Sequence, residues 1–335
     1  MQPLHEVIAS MPKAELHMHL EGSIEPELTF ALAERNCVSI PYRSVEELRA
    51  AYRFTSLQSF LDVYYAGCNV LVTERDFYEL ALAYLQRVRL DNVVHAEVFV
   101  SPQAHTRRGV PFEVVIQGVD QALREGERHL GLSTRLILGF QRQFGEDEAV
   151  AIVEQTLRWR DRIAGFGLGG PELGNPPAKF ARVFGRCREL GFKVVAHAGE
   201  EAPAPYVAET VDVLKVDRID HGVRCEEDPV LVARLAALQV PLTVCPLSNV
   251  KLAVFPDLAS HNLKRLLRAG LMVTVNSDDP SYFGGYVNDN FLACQQSLDL
   301  TREDVHRLAK NSFLAAFLPD GEKRRYCAML DQHFQ

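Results

Sequence analysis

Apolar residues recur along this chain in two rhythms. Short runs of crowded or alternating apolar positions predict strands at 14–20, 92–100, 132–140, 164–168, 192–198, 216–222, 240–245 and 271–276. Between them, apolar positions three and four apart predict helices at 24–35, 57–72, 74–89, 111–129, 146–162, 179–190, 204–214, 228–238, 261–269, 289–300 and 303–313. Strands that alternate with helices build a parallel sheet, and eight of them favour a (β/α)8 TIM barrel over an open doubly wound sheet. The chain is expected to form one domain over 1–335, with a lid-like helical insertion at about 24–90 and additional helices at the C-terminus. That insertion is long for a strand-to-helix connection. Its Phe54, Phe60, Tyr64 and Tyr65 either line a site or pack the helices together, and Trp159 is read as packing. The final 318–335 segment reads as a helix, against its own barrel or against another subunit, so a homo-oligomer is left open.

Composition narrows the class. An apolar content of 47%, with 21 glycines and 17 prolines, belongs to an ordinary globular chain, not a disordered or collagenous one. The formal charge of -8 argues against nucleic acid as a partner, and no run reaches membrane-spanning length without charge. Residues 1–16 lack the basic and apolar blocks of a secretory signal. Seven cysteines without a tight pair fit a reducing cytoplasm better than a disulfide scaffold, and Cys245 is read as a small buried hydrophobe. The glycines between 165 and 173 do not follow the order of a dinucleotide-binding fingerprint.

Candidate chemistry gathers at the carboxyl ends of the predicted strands, where barrel enzymes build their sites. His17 and His19 share one face of the first strand, since alternate residues point the same way. His197 and Glu200 follow the fifth strand, Asp220 and His221 the sixth, and Asn276, Ser277, Asp278 and Asp279 the eighth. Singly, each has an ordinary structural role as a buried hydrogen-bonding group or a turn cap. Together, three histidines and a carboxylate suit a metal with an open position for water, and the remaining acids and imidazoles suit proton transfer around it. Asp220 either orients a histidine or satisfies local backbone.

Five separated motifs occur in order: ELHMHLEG at 15–22, HAGE at 197–200, RIDHG at 218–222, CPLSN at 245–249 and NSDDP at 276–280. With these motifs, nearly the whole chain resembles the adenosine and adenine deaminase family of metal-dependent barrel hydrolases. The resemblance implies one Zn(2+) per chain held by His17, His19, His197 and Asp278. It further implies that Glu200 handles the proton at purine N1, His221 orients or deprotonates the attacking water, and Asp279 contacts the base. The segments DDPSYFGGY at 278–286 and GNPPAKF at 174–180, with Glu21 in place of aspartate, resemble the free-adenine branch more than the nucleoside branch. The expected reaction is therefore adenine plus water to hypoxanthine plus ammonia, with adenosine or an N6-substituted adenine as alternatives and a non-catalytic zinc-binding protein as a remote one.

Two departures from the adenine branch bear on the substrate. Val100-Ser101-Pro102-Gln103 stands where FDPQ is usual, and Leu168-Gly169-Gly170-Pro171-Glu172 where LDSSE is usual. Gly169 and Gly170 either bring a backbone N–H to the purine or simply shape a turn. Glu172 is a candidate contact to another ring edge. Glu21 either fills sugar space or makes a local helix-start contact.

Overall fold

The computed structural model describes residues 2–335. Eight strands pair in sequence order, all parallel: β1 Lys13–His19, β2 Val93–Val100, β3 Ser133–Gln141, β4 Ile163–Gly169, β5 Lys193–Ala198, β6 Arg218–His221, β7 Leu242–Val244 and β8 Val273–Val275. The sheet closes between its ends. Asp278 N donates to His17 O at 3.0 Å and His19 N to Asp278 O at 2.8 Å. One step below, the Asn276 side chain takes the place of a backbone acceptor, with Leu16 N donating to its Oδ1 at 2.9 Å. The expected TIM barrel is therefore the fold, and its closing seam runs through the NSDDP segment.

Within the barrel, Phe99, Ile137 and Val195 form a small apolar layer of their own. Gly167 leaves room for it, since a Cβ there would come within 2.7 Å of the Phe99 ring. Below this layer lies a buried polar plug. The Arg218 Nη1 donates to Glu97 Oε2 at 2.7 Å, Nη2 donates to Leu16 O at 3.2 Å, and the Phe317 backbone N–H donates to Glu97 Oε1. The main core lies between the sheet and its outer helices, as amphipathic helices over a parallel sheet require.

Several elements differ from the sequence expectation. The helix predicted over 57–72 is Leu57–Cys68, and the one predicted over 111–129 is helical over Phe112–Glu125 before a wider turn at Gly126–Leu130. Helices at Leu4–Ser10 and Val45–Ala50 have no predicted counterpart, both being too short to develop a periodic pattern. Short helices at Pro102–Thr106 and Pro246–Lys251 follow β2 and β7 after a single residue, and one at Pro280–Phe283 follows β8 after the 276–279 segment, each begun by a proline whose missing N–H is harmless in the first turn. The terminal helix is Asp320–His333, packed on Arg302–Ala315. Among the described residues, no helix is long and apolar enough to cross a membrane.

Candidate metal centre and active site

At the carboxyl end of the barrel, four ligand atoms converge. His197 Nε2 lies 3.1 Å from both His17 Nε2 and His19 Nε2. Asp278 Oδ1 lies 3.4 Å from His17 Nε2 and 3.3 Å from His19 Nε2. A zinc ion with bonds of about 2.0–2.2 Å would set tetrahedral edges roughly 1.6 times as long, about 3.3–3.6 Å; the two separations to Asp278 fall in that range, and the two between histidines fall about 0.2 Å short of it. His17, His197, His221 and Asp278 also offer atoms all within 4.8 Å of one another, but His221 Nε2 is 3.9 Å from the other oxygen of Asp278, Oδ2. Either way the compact His/Asp cluster fits a single zinc ion per chain.

The chemistry of the donors also fits a cation. His17 Nδ1 lies 3.1 Å from the Thr243 carbonyl oxygen, which can only accept, so Nδ1 carries the proton and Nε2 presents a lone pair. His197 Nδ1 faces Asp220 Oδ2 at 3.3 Å, outside hydrogen-bond geometry but close enough for the carboxylate to favour the proton on Nδ1. Two lone pairs 3.1 Å apart beside a carboxylate repel one another unless a positive charge lies between them. Asp220, the residue left between two readings by the sequence, faces a histidine. Its other oxygen accepts from Thr243 Oγ1 at 2.8 Å. Burial opposes its charge, but the His17 and His197 imidazoles hold its carboxyl well below the usual range.

The acid–base residues stand beside the cluster. Glu200 Oε2 lies 3.4 Å from His221 Nε2, while Glu200 Oε1 is buried without a partner. Burial, reinforced by the charges of Asp278 and Glu172, raises its carboxyl well above the usual carboxylate range. Burial likewise holds His221 well below the usual imidazole value, so it is a neutral base. Asp279 is raised by burial and by Asp278, and its Oδ1 is a second buried oxygen without a partner. Gly22 makes space for Asp279, because a Cβ there would fall 1.8 Å from Oδ1.

These groups face a cavity walled by Leu57, Phe60, Leu61, Tyr64 and Tyr65 from the Leu57–Cys68 helix, by Phe99, Ser101, Gln141, Gly169 and Gly170 at strand ends, and by Leu252 and Phe283. His19, His197, Glu200, His221, Asp278 and Asp279 reach it directly. Of the aromatic candidates Phe60, Tyr64 and Tyr65 line it, whereas Phe54 packs on Phe60 and Phe283. Two predicted substrate contacts lie outside the wall. Glu21 is buried, and its Oε1 accepts from His105 Nε2 at 2.9 Å and Ser101 N at 3.0 Å. Glu172 is turned away into backbone, accepting from Gly199, Glu200, Glu201 and Ala202 N–H groups at 2.6–3.1 Å. A loop glutamate carries the same letter whether it faces a ligand or a ring of N–H donors, so sequence alone does not separate the two roles.

Gln141 is a cavity residue that the sequence reading missed, although its signal was present: a polar residue ending β3 at the catalytic face of a barrel. Its Nε2 donates to Tyr65 OH at 3.0 Å, joining the helical wall to the barrel. Cys245 is buried as expected, 3.4 Å from His17 Nδ1, and burial pushes its thiol well up.

The family model for adenosine deaminase matches residues 12–333. The chain belongs to the adenosine deaminase family. It is 58% identical over 336 residues to an adenine deaminase of Ralstonia pickettii, spanning 99% of this chain and 97% of that protein. Among solved structures, the adenine deaminase of Arthrobacter aurescens superposes with a TM-score of 0.95 at 50% identity, covering 96% of this chain and 99% of that one. An amidohydrolase from Burkholderia ambifaria, solved with bound Zn, superposes with a TM-score of 0.91 at 29% identity, covering 98% and 92%. Family membership and the His/Asp cluster together make this chain a metal-dependent hydrolase.

Proposed function

We propose that this enzyme hydrolyses adenine to hypoxanthine and ammonia, with zinc held by His17, His19, His197 and Asp278. One observation carries the reading: Glu200 Oε1 and Asp279 Oδ1, both buried and unpartnered, belong to residues that line a cavity beside four converging ligand atoms. Buried polar atoms without partners are rare in a native fold, and a purine edge carries the complementary ring nitrogens and amino group.

A zinc ion at such a site lowers the pKa of a water towards about 7 and so supplies the nucleophile. Around it the chain's own residues divide the proton work. Neutral His221, which lines the cavity beside the ligand cluster, accepts the proton of the attacking water. Glu200, held protonated, donates to the ring nitrogen that gains electrons as C6 becomes tetrahedral. As the C6–N bond breaks, the proton held by His221 passes to the departing amine, which leaves as ammonia. The Glu200 carboxylate takes the C6 hydroxyl proton, which returns both residues to their starting forms. Asp279 Oδ1 orients the ring, and Gly169 and Gly170 bring backbone close to it. The helical region at 24–90, as part of a single domain, covers the cavity with Leu57, Phe60 and Tyr64 and keeps bulk water out. The seven free cysteines suit a reducing cytoplasm.

N6-alkylated adenines are a second reading, favoured by Gly169. A Cβ there would make only ordinary contact, at 3.7 Å from the His197 ring, so its absence leaves space next to the reacting centre. The test is a panel of adenine, adenosine, AMP and N6-alkyladenines with chromatographic identification of products and metal analysis of the same sample. Hypoxanthine from adenine is expected. No deamination at full zinc occupancy overturns the primary reading, and rejection of every N6-alkyl analogue removes the second.

A further inference from the structure

The carboxylate of Glu172 is fully enclosed, yet it touches neither the cavity nor a cation within salt-bridge distance. Its four partners are consecutive backbone amides. Oε1 accepts from Gly199 N at 2.6 Å, and Oε2 accepts from Glu200 N at 3.1 Å, Glu201 N at 2.9 Å and Ala202 N at 2.9 Å. Successive N–H groups that point inward form a nest for a negative charge, and bonds to a charged acceptor are about twice as strong as neutral ones. Here the turn after β5 is wound around a side chain from the turn after β4. Gly199 permits the winding with φ +69°, and a Cβ there would come within 2.4 Å of Val207.

The turn that carries Glu172 is itself fixed. Asn175 N donates to Glu172 O at 3.1 Å, and Asn175 Nδ2 donates to Pro171 O at 3.1 Å. Buried Arg142 ties the same two turns on their other side, with its guanidinium donating to His197 O and, at 3.4 Å, to Asn175 O. The segment between His197 and Ala202 is thus gripped by its carbonyl at one end and by its amides at the other. Glu200 springs from the middle of that grip.

We propose that Glu172 is a positioning residue for Glu200: by capturing the 199–202 amides it fixes the backbone from which the Glu200 carboxyl reaches the ring nitrogen. The consequence is a division of labour. His197 lies in the strand and keeps its place without Glu172, so metal retention and proton delivery are separable. The inference rests on the adenine-deaminase reading for its kinetic part and on geometry alone for its structural part.

The test compares E172Q and E172D with the wild type in the zinc-loaded enzyme. E172Q keeps the shape but sets an amide N–H₂ against N–H donors; E172D keeps the charge with a shorter reach. Relative to wild type, E172Q should lower kcat for adenine at least tenfold with KM changed by less than about threefold and metal stoichiometry unchanged. E172D should recover part of the loss. Hydrogen exchange at the 199–202 amides should quicken in E172Q whatever the substrate is. In an E200Q background, adding E172Q should lower kcat by less than twofold, since a residue that acts through Glu200 has nothing left to position. Unchanged exchange at 199–202 overturns the clamp, and an equal fold-loss in both backgrounds overturns its action through Glu200. If the wild type leaves adenine intact while the exchange changes as expected, the substrate reading fails and the clamp stands.

Discussion

Glu200 and His221 meet at 3.4 Å with opposite assignments, an acid kept protonated and an imidazole kept neutral by the same burial. E200Q removes the transferable proton but not the shape. Zinc should stay bound while turnover falls by about 10²–10⁴-fold; turnover equal to the wild type, measured per bound zinc, would reject the proton-transfer role. Asp278 and His221 adopt left-handed backbones, φ 65° and 64°, a conformation costing about 1–3 kcal/mol that tightly packed surroundings must hold in place. The prediction for Asp278→Ala is therefore loss of the metal more than loss of the fold, seen as substoichiometric zinc after purification. Gly22→Ala brings a methyl onto the Asp279 carboxylate. It should cut kcat tenfold or more with the metal in place, and wild-type kinetics would show that Asp279 has freedom to move. At this scale the sequence spoke through residue type at strand ends, which located His17, His197, Asp278 and their neighbours. It singled out Glu21 and Glu172 as candidate contacts but not their direction, because which way a loop carboxylate turns depends on backbone amides that no side-chain pattern records.

The Leu57–Cys68 helix gives the cavity its apolar roof, and its best-defined anchor is Tyr65, whose hydroxyl accepts from Gln141 Nε2 at 3.0 Å and Gln143 Nε2 at 3.1 Å. Tyr65→Phe leaves the amides of buried Gln141 and half-buried Gln143 without that acceptor, a loss of about 1–3 kcal/mol on the hydrogen-bond scale. It should appear as a severalfold higher KM with a smaller change in kcat, because the helix roofs the substrate without donating to it. A change confined to kcat would argue that Tyr65 acts in the chemistry. Strand order and the helical insertion were legible because apolar periodicity extends over many residues. The three proline-led helices after β2, β7 and β8 were not, since one turn is too short for a period. β7 and β8 shrink to three residues because their ends turn into the site: Asn276 pairs through its side chain, and Asp278 completes the ladder with β1.

Across the whole molecule, the catalytic end depends on a barrel interior that buries charge at its other end. Glu97 takes Arg218 Nη1 at 2.7 Å, His95 Nε2 at 3.2 Å and the Phe317 N–H, and Arg218 stacks 4.1 Å from the Phe317 ring centroid. Burial opposes the charge of Glu97, but Arg218 and His95 outweigh it and lower its pKa from 4.5 to about 2. A depressed folded pKa means that the native state holds its carboxylate ionised where the unfolded chain has begun to take up a proton. The stabilisation is thus complete above about pH 4.5 and fades as pH falls towards about 2, by about 3 kcal/mol in all. Glu97→Gln removes that dependence while leaving Arg218 buried without its counter-charge, which costs about 3–5 kcal/mol near neutrality. Urea midpoints measured from pH 7 to pH 2.5 should start lower in the variant and converge with the wild type as acid is added. Other carboxylates titrate in both proteins and cancel in the difference. Two parallel curves would mean that Glu97 is not ionised in the native barrel, and the polar plug would then be held by hydrogen bonds alone.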